Sequence, residues 1–212
     1  MTTKLALYNE ALLMCGERQL STVTDAVKPR YLLDSVWNNG AVDQCLSSGQ
    51  WRFAIRSSAI DYSSSIDPEF GYAYAFEKPS DWVATAAICS DEYYRSPLLQ
   101  YVFEAGYWYA DVTILYVRYV SNNASYGTDY SNWPALFADY VAAHLASKII
   151  LDLTSDEKKQ ALVFGLRDKA MAKAKNHDAM GDPTKFMPSG SWSGSRGGGR
   201  RRDGGSRNNL IG

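Results

Sequence analysis

Along the first fifty residues the apolar positions recur at helical spacing. Leu5, Tyr8 and Leu12 share one face of a segment from Lys4 to Cys15, and Gly16 follows as a stop. After a polar turn at residues 21–25, a second stripe begins near Pro29 and places Leu33, Trp37, Ala41 and Cys45 four residues apart, as far as Gly49. Asn38, Asn39 and Gly40 weaken the middle of that helix. In "SGQWRFAIRSSAI", residues 48–60, the period then falls to two. Trp51, Phe53 and Ile55 alternate with Arg52, Ala54 and Arg56, as in a half-buried strand. The pattern predicts a structural hinge: Gly49 ends the helix, Trp51, Phe53 and Ile55 tuck against a helix–sheet junction, and Arg52 and Arg56 face outward.

Residues 63–120 are rich in Tyr, Val, Ile, Thr and Phe and are punctuated by Asp67-Pro68, Lys78-Pro79, Ser96-Pro97 and Gly106. Strands are expected at about 71–76, 82–88, 100–104 and 112–120. Their connections are too short for helical crossovers, so the sheet is expected to be mostly antiparallel. Past Ser131 the helical period returns. Pro134 suits a first turn, Phe137, Val141, Leu145 and Ile149 form one stripe, and Ala138, Ala142, Ala146 and Ile150 lie beside it. So wide a face requires more than one neighbour. Thr154 to Glu157 reads as a capping box opening a last helix, which aligns Leu162, Leu166, Ala170 and Ala174 and ends near His177. The fold class is therefore α+β. A four-helix bundle is formed from the N- and C-terminal helices (residues 1–50 and 131–181), with a mostly antiparallel β-sheet domain inserted at residues 51–130.

Beyond Gly181 the text becomes "PSGSWSGSRGGGRRRDGGSRNNLIG", glycine, serine and arginine with almost nothing to bury. A disordered, basic C-terminal tail over residues 182–212 is expected, one that orders on a partner. The formal charge of −1 hides this asymmetry: residues 182–212 hold six Lys/Arg against two Asp, leaving −5 on the remainder. No apolar run approaches a membrane span, and "MTTK" leads into a mixed pattern without a signal-peptide core, so folding in the cytoplasm is expected. Cys15, Cys45 and Cys89 are odd in number and far apart, fitting reduced, buried thiols and no metal or disulfide framework.

Little points to catalysis. His144 lies in an alanine-rich helical face and His177 at a helix end, where hydrogen bonding is the ordinary role. "GSWSG" at residues 190–194 has Trp192 where a nucleophile elbow needs serine, and "RGGGRRR" lacks the lysine and hydroxyl of a phosphate loop. Asp91-Glu92 beside Tyr93-Tyr94 offers paired carboxylates and rings to a sugar, though adjacent carboxylates in a turn are usually just solvated. The chain is expected not to be an enzyme and to need no cofactor or metal. Fifteen tyrosines suit either cross-strand pairs or protein interfaces. The arginine-rich tail suits nucleic acid or an acidic groove on a protein, against an acidic body.

Three stretches in order carry a resemblance: "ALYNEALLMCGERQLST" (residues 6–22), "VDQCLSSGQWRFAIRSSAI" (42–60) and "FEKPSDWV" (76–83). Together they resemble the tail tubular protein A family, the head-to-tail connector or adaptor proteins of short-tailed bacteriophages. Here Gln50 separates Gly49 from Trp51, and Ala54 stands where asparagine is more usual. The resemblance implies a non-catalytic virion protein assembled in the host cytoplasm and located in the tail or neck. It implies a homo-oligomeric ring, commonly of twelve copies, between the portal protein and the tail nozzle or tube protein. Genomic DNA would pass through the lumen on ejection without sequence-specific binding. On that reading Arg196, Arg200, Arg201, Arg202 and Arg207 are expected to dock on the portal. Another tail component (stopper or tail terminator), an aromatic-rich carbohydrate-binding or hydrolysing module, and a nucleic-acid binder remain open.

Overall fold

The computed structural model describes residues 2–69 and 71–181; the segment 182–212, and with it every expectation placed there, lies outside the described residues. The chain is α+β, with five helices and two small antiparallel sheets. α1 (Lys4–Cys15) begins where Thr3 Oγ1 accepts from the Ala6 amide and ends in a left-handed Gly16. The Gly16 and Glu17 amides donate back to the Leu13 and Leu12 carbonyls, so the helix closes on orphan acceptors that the next turn would otherwise have used.

The expected second helix is two. α2 (Lys28–Asn38) and α3 (Ala41–Ser47) are separated at Asn39 and Gly40, where Gly40 takes φ of 79°. A left-handed residue cannot continue a right-handed helix, so the weak Asn-Asn-Gly centre becomes a corner. α4 (Ala135–Leu153) lies at the middle of the helical part, packed by α1, α2, α3 and α5 (Glu157–Met180). Both of its expected stripes are buried, and the small side chains Ala138, Ala142 and Ala146 let neighbouring helices approach closely. The last helix is capped differently from the expectation. Asp156, not Thr154, accepts from the Lys158 and Lys159 amides, and Thr154 instead accepts from Asp156 and Gln160.

The expected strand at Trp51 starts later, because residues 52–54 form one 3-10 turn before β1 (Ile55–Asp61). β2 (Tyr74–Glu77), β3 (Trp82–Cys89), β4 (Val102–Glu104), β5 (Tyr107–Ala110) and β6 (Ile114–Ser121) follow. They form two sheets instead of one, ordered β1-β6-β3 and β2-β5-β4, with every pairing antiparallel. The unexpected strand is β5, which the aromatic run around it concealed; Asp111 Oδ1 ends it by accepting from the Ala73 amide. Both sheets contribute to one core, Phe76, Trp108 and Ala110 from the smaller and Ile88, Leu115, Val117 and Tyr119 from the larger. Val120, on the opposite face of β6 from Val117 and Tyr119, joins the helical core instead, so β6 serves both.

Candidate interaction surfaces and the Trp51 junction

Gly49, Trp51 and Phe53 come together where α3 passes into β1. Trp51 is fully buried and its indole Nε1 donates to the Cys45 carbonyl at 3.0 Å, satisfying one of the orphan acceptors at the end of α3. Its ring meets Phe137 of α4 at 4.8 Å, and Phe53 meets the Phe137 ring at 4.8 Å. The contact continues through Trp133, Tyr130 and Trp37 to Tyr8, so one line of rings ties α1, α2 and α4 to the start of the sheet. Gly49 does not act through a left-handed conformation. A Cβ there would lie 3.2 Å from the Trp51 ring, so its use is close approach.

The two arginines of the stretch divide. Arg52 is exposed, and its backbone amide donates to Asp178 of α5. Arg56, expected to face outward, instead reaches the buried Asp81 at 2.9 Å. Asp81 also accepts from the Tyr119 hydroxyl at 3.0 Å and the Ser121 hydroxyl at 2.6 Å. Burial alone would raise the Asp81 carboxyl, but the hydrogen bonds from Ser121, Arg56 and Tyr119 outweigh it and hold the group below the ordinary carboxylate range. This fully partnered network joins β1, the β2–β3 turn and β6.

A second carboxylate clips α1 to α2. Asp34 accepts from Tyr8, Lys4 and Arg30, and despite its desolvation those hydrogen bonds bring it to about 2. Gly127 was also not legible. Its amide donates to the Ser121 carbonyl and its carbonyl accepts from the Trp133 indole, and a Cβ would collide with the Ser121 oxygen.

His144 and Asp91 have structural partners. His144 is an interhelical hydrogen-bonding partner of Gln44 at 3.2 Å, and burial pushes it down to about 4. Cys15, Cys45 and Cys89 are free and buried, with burial pushing the Cys45 thiol up to about 12, the opposite of what a nucleophile needs. Asp91 accepts from the Arg95 and Ser96 amides, which hold it ionised as a turn cap. Among the described residues no group of three or more metal-ligating side chains occurs. A groove of about 410 Å³ between α1 and α4 is lined by Glu10, Trp133 and Asp139, where burial and then the charge of Asp139 raise the Glu10 carboxyl.

What stands out on the surface is apolar and aromatic. Leu13, Leu151 and Leu162 are exposed on helices, and Tyr93, Leu99 and Phe103 on the β part. The expected stripe on α5 divides: Ala174 is buried and Ala170 packs against the helical core, joined there by the buried Val163, whereas Leu162 is 62% and Leu166 38% exposed. Beside β4, Lys78 Nζ lies 3.2 Å from the Trp82 ring centroid and 4.2 Å from that of Phe103, with burial lowering its pKa. No helix among the described residues is long and apolar enough to cross a membrane. Arg196, Arg200, Arg201, Arg202 and Arg207 lie outside the described residues. Compared with known proteins, the chain matches no protein-family model and no curated protein.

Proposed function

We propose that this chain is a virion structural protein, a head-to-tail adaptor whose copies form a ring joining a portal protein above to a tail nozzle or tube protein below. The observation that supports this most is the exposure of large apolar side chains on several separate elements, Leu13, Leu151 and Leu162 among the helices and Leu99 and Phe103 in the β part. Scattered single residues of this kind are ordinary, but a subunit of a closed ring needs two different contact surfaces and further ones for its axial neighbours. The wide face of α4 gives no such support, because α1, α2, α3 and α5 cover it within the chain.

On this reading α1, the bent pair α2–α3, α4 and α5 act as a four-helix bundle. The basic segment at residues 182–212 is the portal-docking arm, through Arg196, Arg200, Arg201, Arg202 and Arg207. The three stretches that resemble tail tubular protein A have identifiable work in a rigid subunit. Asn9 bridges to Leu20 in both directions, Trp51 seals the junction, and Asp81 of "FEKPSDWV" anchors Arg56. An acidic body suits a lumen past which DNA must slide. The test is co-sedimentation of the full chain and a form lacking residues 189–212 with the portal protein. The full chain is expected to bind and the shortened one to bind far more weakly; equal binding would remove the arm's role.

A further inference from the structure

Charge is distributed unevenly between the β part and α5. Residues 51–130 hold ten Asp/Glu against five Lys/Arg, whereas α5 holds six Lys/Arg against three Asp/Glu. On α5 the charge sits beside exposed apolar surface. Lys158, Leu162, Leu166, Lys169 and Lys173 fall within one stripe at helical spacing, and all five are exposed. Among the described residues no ion pair holds Lys158, Lys169 or Lys173.

The smaller sheet carries the complement. Register places Glu77 of β2 opposite Tyr107 of β5, and Glu104 of β4 opposite the same Tyr107. Residues directly opposite across strands point to one face, so two exposed carboxylates flank a half-buried tyrosine. The next row on that face is Ala75, Tyr109 and Val102, in which Ala75 is buried at the β2 end and Val102 is exposed at the β4 end. Phe76 and Trp108, at the alternate positions, enter the core from the other face, and Glu77, Glu104 and Val102 stay exposed.

We propose that the Lys158–Lys173 stripe of α5 in one copy docks on the Glu77–Tyr107–Glu104 face of the β2-β5-β4 sheet in the next copy. Leu162 and Leu166 meet Tyr107, Tyr109 and Val102, and the lysines meet the two glutamates. The inference rests on the ring reading and names its subunit contact. Each copy carries both partners, so the contact is heterologous and propagates from copy to copy. Exposed hydrophobic side chains supply the burial, and the opposite charges fix direction and register.

The test is a charge swap in the full chain, read by sedimentation equilibrium and by native mass spectrometry with portal protein present. Lys169→Glu with Lys173→Glu, and separately Glu77→Lys with Glu104→Lys, each loosen self-association by about tenfold or more. Mixing the two variants restores it, since one acid helix then meets one basic sheet. All four positions are exposed, so circular dichroism is expected to match the parent. The contact is overturned if both variants associate like the parent, or if mixing restores nothing. Rings that persist in both variants leave the adaptor reading standing and remove this contact. A parent chain that stays monomeric with and without portal removes both, and one that binds portal only as single copies makes the portal the occupant of the α5 face.

Discussion

The helical core and the sheet core of this chain are filled by different means. Around α4, leucines, alanines and a line of rings from Tyr8 to Phe53 close against one another, with the Asp34 carboxylate tying α1 to α2 beside them. Between the sheets the buried apolar set is small, seven residues, and the adjoining strands are joined by a carboxylate that takes three donors. Damage to the first is therefore a missing volume; damage to the second is a polar group left without its partner. The lesson is that the same chain offers two kinds of failure, separable by which residue is changed.

The largest expected effect is in the helical core. Trp51→Ala removes a fully buried indole, its hydrogen bond to Cys45 and its contact with Phe137, and is expected to cost about 3–5 kcal/mol in chemical denaturation. A variant unfolding like the parent would mean that the indole does not fill the helical core. Next comes the polar staple: Asp81→Ala leaves the buried Tyr119 and Ser121 hydroxyls without an acceptor and is expected to cost about 1–3 kcal/mol for each group left unpaired and dry. If solvent reaches the site and satisfies them, the loss shrinks towards zero and the sheet is looser than described.

Acid acts on the polar ties of the helical part. Asp34 sits at about 2 in the folded chain against about 3.9 unfolded, so its stabilisation is complete above about pH 4 and fades as pH falls towards 2. His144 works earlier in the titration. Its pKa is lowered to about 4 from about 6.5, so the unfolded chain binds the extra proton first, and stability declines as pH drops from about 6.5 to 4. Stability measured against pH should show that slope in the parent and lose it in His144→Gln; an unchanged slope would place the titration elsewhere. At the small end, Asp156→Ala removes the N-cap of α5 for about 1 kcal/mol, and Leu162→Gln on the exposed face should stay within about 0.5 kcal/mol. A large loss at Leu162 in the isolated chain would mean that the α5 face is already covered.

Local signals were legible and distant ones were not. α1 was readable to the residue, because its stop is a glycine that its own φ requires. Both stripes of α4 were readable because periodicity reports burial directly. The corner at Gly40 left only a weak trace in Asn38-Asn39-Gly40, and the 3-10 turn at residues 52–54 mimics alternation over three residues. Two sheets were read as one because pairing is decided by residues far apart, such as Ser57 with Arg118. The Arg56–Asp81–Ser121 network spans separations of 25 and 40 positions, beyond any local pattern. On α5 the apolar stripe was visible, but sequence alone does not tell a face that meets the core from one that meets a partner: Leu162 and Leu166 turned out to lie outside.

The adaptor reading is tested most directly by the mass of the purified chain, alone and mixed with its portal protein, in native mass spectrometry. It predicts a ring-sized multiple of 23.6 kDa, formed by the chain itself or on contact with the portal. A species that remains a single copy under both conditions would contradict it.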